Sequence, residues 1–157
     1  MEYKNMDADL SHVEQLICET QARLFEYVAN TGADMIWFIE RYMSSPFCQK
    51  EMDSDYSCFH LSFPEEILDF LLPQIGSLRK FEPVQYFSND VANWLGFTYR
   101  QLQIQTQVAS KELVQLLPPG KLCNSYLALS GESEEVAADI LCERLGLAKV
   151  KREYNQD

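Results

Sequence analysis

This sequence is short of glycine, proline and basic residues, and it has no long apolar run. Its 157 residues include only six Gly, six Pro and 13 Lys or Arg. A sandwich of many short strands needs many turns, so the scarcity of Gly and Pro disfavours that fold. The longest apolar stretches, such as Met35–Ile39, are far too short to cross a bilayer. The polar, acidic first ten residues do not match a secretory start.

The cysteines indicate a reducing compartment. There are five of them, an odd number, and no pair has CxxC spacing. With no secretory start, free and mostly buried thiols in the cytoplasm are the expectation. We therefore predict a cytoplasmic protein without a disulfide framework. The five are Cys18, Cys48, Cys58, Cys123 and Cys142.

Negative charge dominates and is unevenly distributed. The net charge is −11 at pH 7. Residues 1–69 carry 14 acids and four bases, whereas residues 70–130 carry three acids and five bases. Nucleic-acid binding needs clustered Lys and Arg, and the only such cluster lies at residues 149–152, near the end of the chain. The charge disfavours nucleic acids and favours a basic protein partner.

Repeated capping signals predict an all-α protein. Ser11 followed by Glu14 forms a capping box, and apolar residues then recur at helical spacing. Ser62, Ser110 and Ser133 give similar helix starts, and Val136 is expected to face inward. Asp34 can cap a second helix, and either Ser88 or Asn89 can cap the helix from residue 90. We expect a compact single-domain bundle of about seven or eight mostly short helices. They are predicted over residues 11–30, 35–43, 46–53, 63–73, 90–106, 110–117, 119–129 and 134–145.

The ends of the chain and two inner segments are less regular. Residues 1–10 and 149–157 are expected to be flexible, flanking a domain over residues 11–148. A short extended piece is predicted at residues 84–87. Glutamines at every second position over residues 101–107 are typical of a strand, but the well-capped start of this element favours a helix to about residue 106.

No metal, cofactor or catalytic motif stands out. Asp53-x-Asp55-x-Ser57 begins like a calcium loop, but Cys58 stands where Gly is needed, and Pro64 where Glu is needed. Cys48, Cys58 and His60 lack the spacing of a closed zinc site. Acid pairs such as Glu65-Glu66 and Glu134-Glu135 lie in first helical turns, where they complement the helix dipole. An enzyme is therefore less favoured than a binding protein.

The segment around Trp94 holds the most informative polar and aromatic residues. Trp94 and Tyr99 combine apolar bodies with polar tips, as recognition surfaces do. Arg100 is one of two charged residues between Glu82 and Lys111. With Tyr126 these residues form the candidate site. Arg100 is expected either to pair internally with an acid or to receive an anionic group. Gly96 within this helix indicates a close helix crossing or a bound group.

Two stretches carry a resemblance, Phe38–Ser45 and Asp90–Arg100, and Ser110–Leu113 follows them. Together they resemble an uncharacterised family of small acidic proteins from gut Firmicutes, some encoded beside toxin-like genes. The resemblance covers about residues 35–145 and implies an antitoxin-like or regulatory binding role. The family pattern has a further aromatic residue or His soon after the Tyr-Arg pair, where this chain has Gln101 and Gln103. No active site can be transferred from it.

Two functions follow from these observations. The first is an acidic interaction module that occludes or scaffolds a basic protein partner, with a homo-oligomer also possible. The second is a small-ligand protein or enzyme with a pocket between helices, in which Arg100 recognises an anion. In the first, exposed acids steer the encounter and the Trp/Tyr/Arg surface gives specificity. The steering acids are Asp53, Asp55, Glu65, Glu66 and Asp69.

Overall fold

The computed structural model describes residues 8–80 and 88–152 and confirms the all-α prediction. These residues contain eight α-helices, one π-helical segment and no strand. No helix among them is long and apolar enough to span a membrane. The predicted extended piece at residues 84–87 lies outside the described residues. The helices are α1 His12–Asn30, α2 Met35–Met43, α3 Pro64–Ile75, α4 Asn89–Thr106, α5 Ser110–Leu116, α6 Pro119–Asn124, α7 Tyr126–Leu129 and α8 Glu134–Leu145.

Side-chain caps begin the longer helices where the sequence predicts them. Ser11 Oγ accepts from the amide of Glu14, and the Glu14 carboxylate accepts from the amide of Ser11. The side chains of Asp34, Ser88 and Ser133 cap α2, α4 and α8 by accepting from an amide in the first turn of each helix, without the reciprocal bond. Each cap satisfies an amide that has no partner within the helix. Local chemistry thus fixes the starts of these four helices.

Two predicted caps are wrong. The N-cap of α3 is Phe63, not Ser62, and the Glu66 carboxylate accepts from the Phe63 amide at 3.0 Å. The Ser62 hydroxyl donates to the carbonyl of Cys58 instead. The N-cap of α5 is Ala109, because the Ser110 hydroxyl and amide both donate to the Asp53 carboxylate. A local carbonyl in the first case and a distant carboxylate in the second compete for side chains that otherwise cap helices.

Two further segments differ from the expected single helices. The predicted helix over residues 46–53 contains a π-helical segment at Cys48–Met52, closed by the Asp53 amide donating to the Cys48 carbonyl at 2.8 Å. The predicted helix over residues 119–129 is two helices, α6 and α7, separated at Ser125. Val136, expected to face inward, is exposed on α8.

The bundle is organised around α1 and α4, which pack together along most of their length. Gly96 marks the closest approach, because a Cβ atom there would lie 2.6 Å from the carbonyl oxygen of Gln21. This confirms the close helix crossing predicted from Gly96. Edge-on contacts of Phe25 with Phe38 and Tyr42 join α1 to α2 beside it.

The C-terminal half of α4 lies at the centre, with every residue from 98 to 106 buried. Its glutamines are buried because their amides find partners on other elements. Gln103 accepts from Arg100, and Gln105 donates to the carbonyl of Ala8 and the carboxylate of Glu135. A helix covered on all sides has no polar face, so the alternating pattern does not indicate a strand here.

Contacts extend beyond the predicted domain boundaries at residues 11 and 148. Arg152 is only 4% exposed and forms a two-pronged ion pair with the Glu14 carboxylate at 2.7 and 2.8 Å. Arg152 also donates to the carbonyl of Asp9. Lys149 pairs with Glu135 and Asp139. Residues 8–10 and 149–152, expected to be flexible, therefore pack on the domain through long-range ion pairs that sequence spacing does not reveal.

Candidate functional site

The four predicted site residues lie on different faces of α4 and its surroundings. An α-helix turns about 100° per residue. Viewed down the axis of α4, Tyr99 lies about 140° from Trp94 in one direction, and Arg100 lies about 120° from Trp94 in the opposite direction. Trp94 and Tyr126 come together, with ring centroids 5.6 Å apart in an edge-on arrangement. Tyr99 and Arg100 point into the core and are 0% exposed. The predicted four-residue site is therefore wrong as a unit.

Arg100 is fully occupied inside the protein. Nη1 donates to Asp53 Oδ1 at 2.6 Å, and also to the Met52 carbonyl and Gln103. Nε and Nη2 donate to Gln21 Oε1 at 3.0 and 2.7 Å, and Nη2 also contacts Cys48 Sγ at 3.3 Å. Every guanidinium nitrogen has a partner. Of the two expectations for Arg100, internal pairing is confirmed, and the expected anion pocket around it is absent from the described part of the chain.

The surroundings of Arg100 keep it charged and keep the nearby Cys48 thiol and Tyr42 hydroxyl neutral. Burial alone would lower the pKa of Arg100, but the groups of Cys48, Tyr42 and Asp53 outweigh burial and raise it. Burial raises the pKa of the Cys48 thiol and of the Tyr42 and Tyr99 hydroxyls. Cys48 is therefore a neutral packing group and not an activated nucleophile.

A groove of about 760 Å³ runs along the opposite face of α4, between α1 and the segment from α7 to α8. Trp94 and Tyr126 lie in it, so the structure keeps two of the predicted site residues at a surface cavity. We call this cavity the acidic aromatic groove. Its described lining residues are Glu26, Asp90, Asn93, Trp94, Phe97, Thr98, Gln101, Tyr126, Ser130, Glu132, Ser133, Glu134 and Ala137.

The groove is negatively charged. Its described lining includes four carboxylates and no Lys, Arg or His. Glu26 is held in place by Asn93, whose Nδ2 donates to Glu26 Oε1 at 3.0 Å. Partial burial, together with the charges of Glu135 and Glu19, raises the pKa of Glu134. Glu134 thus lies among like charges, and a bound cation would offset their repulsion. The four carboxylates that line the groove are Glu26, Asp90, Glu132 and Glu134.

Aromatic rings give the groove apolar contact area. Trp94 and Phe97 are three residues apart on α4 and both line the groove. The ring of Tyr126 packs edge to face against that of Trp94. Trp94 and Tyr126 are only partly buried, so ring surface remains open to a partner. Rings beside carboxylates bind cationic side chains through both apolar contact and cation–π attraction.

The predicted steering acids do not line this groove. Asp53 cannot steer an encounter, because its carboxylate is shielded and already binds Arg100 and Ser110. Asp55, Glu65, Glu66 and Asp69 are exposed on the loop before α3 and on α3 itself. Their steering role stays a prediction.

The structure separates the residues considered for metal binding. Cys48 is buried against Arg100, whereas Cys58 is exposed. His60 Nε2 lies 3.1 Å from the carbonyl oxygen of Glu51, and burial lowers the pKa of the imidazole. Asp53 of the calcium-like pattern is bound to Arg100. Among residues 8–80 and 88–152, no three His, Cys, Asp or Glu side chains are placed to hold a metal ion.

Sequence reasoning missed the carboxylates of the groove. Glu26, Glu132 and Glu134 lie far from Trp94 in the sequence and meet it only in the folded chain. A pattern on α4 does mark the groove, because its six lining residues recur every three or four positions and thus share one helix face. The six α4 residues that line the groove are Asp90, Asn93, Trp94, Phe97, Thr98 and Gln101.

Comparisons with protein-family models, with curated proteins and with solved structures found no match to this chain. The groove therefore has to be interpreted from its own geometry and chemistry.

Proposed function

We propose that this protein is a cytoplasmic interaction module that binds a basic segment of a partner protein in the acidic aromatic groove. By covering that segment it occludes or scaffolds the partner. The observation that carries this proposal is the combination of four carboxylates, three aromatic rings and no basic residue in the described lining of one groove.

The chemistry of the groove supports binding rather than nucleophilic catalysis. No thiol, imidazole or amine lies among its described lining residues, so it offers no activated nucleophile with a nitrogen base. Complementary charge speeds the encounter and selects the sign of the partner. Partly exposed Trp and Tyr side chains are the residues that contribute most to binding energy at protein interfaces.

The resemblance to small acidic proteins encoded beside toxin-like genes supports an antitoxin-like or regulatory role. In such a role the partner is a basic protein whose activity is blocked when its cationic surface is covered. The groove and the net charge of −11 both suit that role.

Fluorescence of Trp94 can report binding directly. The chain has two tryptophans, so Trp37→Phe leaves Trp94 as the single reporter. In this background, titration with a short peptide of alternating Lys, Arg and Gly should change the Trp94 emission. A peptide with Glu in place of the basic residues should not. Affinity should fall as salt is added, because the attraction is electrostatic.

Paired charge variants locate the binding surface. Glu132→Gln with Glu134→Gln should weaken peptide binding by roughly tenfold, equivalent to about 1.4 kcal/mol. Glu65→Gln with Asp69→Asn makes the same charge change on α3, outside the groove, and should have a much smaller effect. Equal losses in the two double variants, or no binding of the basic peptide at all, would contradict the proposal.

A further inference from the structure

Two buried polar side chains at the base of the acidic aromatic groove have unused hydrogen-bonding capacity. Thr98 is 4% exposed and Gln101 is 2% exposed, and both line the groove. Thr20 and Thr106, the other buried helical threonines, each donate to the carbonyl four residues earlier. The Thr98 hydroxyl makes no hydrogen bond with any described residue.

Only one of the two polar atoms of the Gln101 side-chain amide is hydrogen-bonded. Its Nε2 donates to the main-chain carbonyl of Glu134 at 3.1 Å, which fixes the amide against the start of α8. Its Oε1 has no partner in the described part of the chain. Among the described buried side chains, only Gln105 has an unpaired oxygen that is cut off from solvent. The free oxygens of Thr98 and Gln101 therefore open into the groove.

These oxygens lie on the same helical stripe as the aromatic wall. Thr98 is one turn after Trp94, and Gln101 is three residues after Thr98, so neighbouring Cβ atoms are about 5–6 Å apart. Because Gln101 binds the Glu134 main chain, the start of α8 adjoins these acceptors. Trp94 and Tyr126 are half-buried, whereas Thr98 and Gln101 are buried, so the rings lie nearer the surface than the two acceptors.

We infer that the base of this groove selects an arginine side chain of the basic partner, in preference to lysine. This inference rests on the proposed function, since it specifies which basic residue the groove accepts. A guanidinium presents five N–H donors in a plane and stacks on aromatic rings, whereas an ammonium presents three donors at one strongly hydrated point. Acceptors spread between Thr98, Gln101 and the surrounding carboxylates match the wider, planar group.

The test compares two peptides that differ only in having Arg or Lys at each basic position, with Trp94 emission in the Trp37→Phe background as the readout. The Arg peptide should bind about three- to tenfold more tightly, as one or two additional hydrogen bonds predict. Thr98→Val, which removes the hydroxyl with little change of shape, should reduce that preference by lowering arginine-peptide affinity more than lysine-peptide affinity. Thr20→Val is the matched control and should keep the preference.

Folding of the variant is checked separately. Because the Thr98 hydroxyl has no partner, Thr98→Val should unfold at the same temperature as the parent protein or higher. Equal affinity for the two peptides would overturn the inference and leave the proposed function intact, whereas failure of both peptides to bind would overturn both. An arginine preference of the same size in Thr98→Val as in the parent protein would also overturn the role assigned to this hydroxyl.

Discussion

Arg100 and Asp53 form an ion pair of 2.6 Å that joins α4 to the loop after the π-helical segment. The guanidinium is completely buried, and the Asp53 carboxylate also accepts from the hydroxyl and amide of Ser110 at the start of α5. Gln21 on α1 completes the network, since its Oε1 accepts from both Arg100 and the Tyr42 hydroxyl. One positive charge thus ties together α1, α2, α4 and the start of α5.

Arg100→Ala should therefore destabilise the fold strongly. Removing one partner of a buried ion pair leaves the other charge without compensation, and typical losses are about 3–5 kcal/mol in the free energy of unfolding. Here the stranded charge is the Asp53 carboxylate, whereas Gln21 Oε1 keeps the hydrogen bond from the Tyr42 hydroxyl. Urea or thermal unfolding followed by circular dichroism measures the loss.

Arg79→Ala is the matched control for that experiment. Arg79 is largely exposed and lies 3.5 Å from Asp34, so its removal should cost no more than about 1 kcal/mol. If Arg100→Ala unfolds with the same midpoint as Arg79→Ala, the buried network does not stabilise the fold as described.

Caps and helical spacing were enough to predict most of the fold. Ser11, Asp34, Ser88 and Ser133 begin their helices because the residues that satisfy the first amides are adjacent in sequence. The predicted N-cap was wrong where another group binds the serine hydroxyl that would cap the helix. Ser110 is the clearest case, since Asp53 occupies the hydroxyl that would otherwise cap α5.

The site was predictable only in part, for a related reason. Trp94 and Tyr126 were identified by residue type, and the structure brings them together. Tyr99 and Arg100 were grouped with them by proximity in sequence, although helical geometry places them on other faces. Glu26 and Glu134 join the groove through the packing of α1 and α8 on α4, which no local pattern specifies.

Gly96→Ala should destabilise the α1–α4 pair. The added Cβ would lie 2.6 Å from the Gln21 carbonyl oxygen and 2.8 Å from the Ala22 Cα atom, and both are main-chain atoms that cannot rotate away. Overpacking typically costs about 1–3 kcal/mol. This outweighs the gain of roughly 1 kcal/mol that Ala brings to a helix interior. The unfolding midpoint in urea should fall.

Gly120→Ala provides the control. A Cβ atom at Gly120 has no neighbour within 4 Å, and the residue lies in α6, so this substitution should leave stability unchanged or slightly increased. A Gly96→Ala variant as stable as Gly120→Ala would show that α1 and α4 are not in the close contact seen here.

Arg152→Ala should loosen both ends of the domain. Arg152 binds the buried Glu14 carboxylate with two hydrogen bonds and also holds the carbonyl of Asp9. Loss of this partner leaves Glu14 buried and uncompensated, so stability should fall by about 3–5 kcal/mol. Hydrogen exchange at the start of α1 should rise as well. Arg144→Ala, a substitution at an exposed position of α8, should change neither measurement appreciably, and equal effects of the two would contradict the prediction.

The buried imidazole of His60 should make folding stability depend on pH. Burial lowers the pKa of His60, the Arg100 charge lowers it further, and the carbonyl and carboxylate of Glu51 and the Met52 main chain oppose the shift only in part. In the unfolded chain this residue titrates near pH 6.5. Between that value and the lower folded pKa, the unfolded state binds more protons, so stability decreases as pH falls through this window.

A His60→Gln variant isolates this effect from the many carboxylates. The free energies of unfolding of the two proteins should run parallel well above pH 6.5, where His60 is neutral in both states. As the pH is lowered through 6.5, the wild-type protein should lose stability relative to His60→Gln, because His60, which the variant lacks, protonates more readily once the chain is unfolded. Urea unfolding at a series of pH values measures the difference. A difference that stays constant across the window, or that grows in favour of the wild type at low pH, would show that His60 is not held neutral by burial.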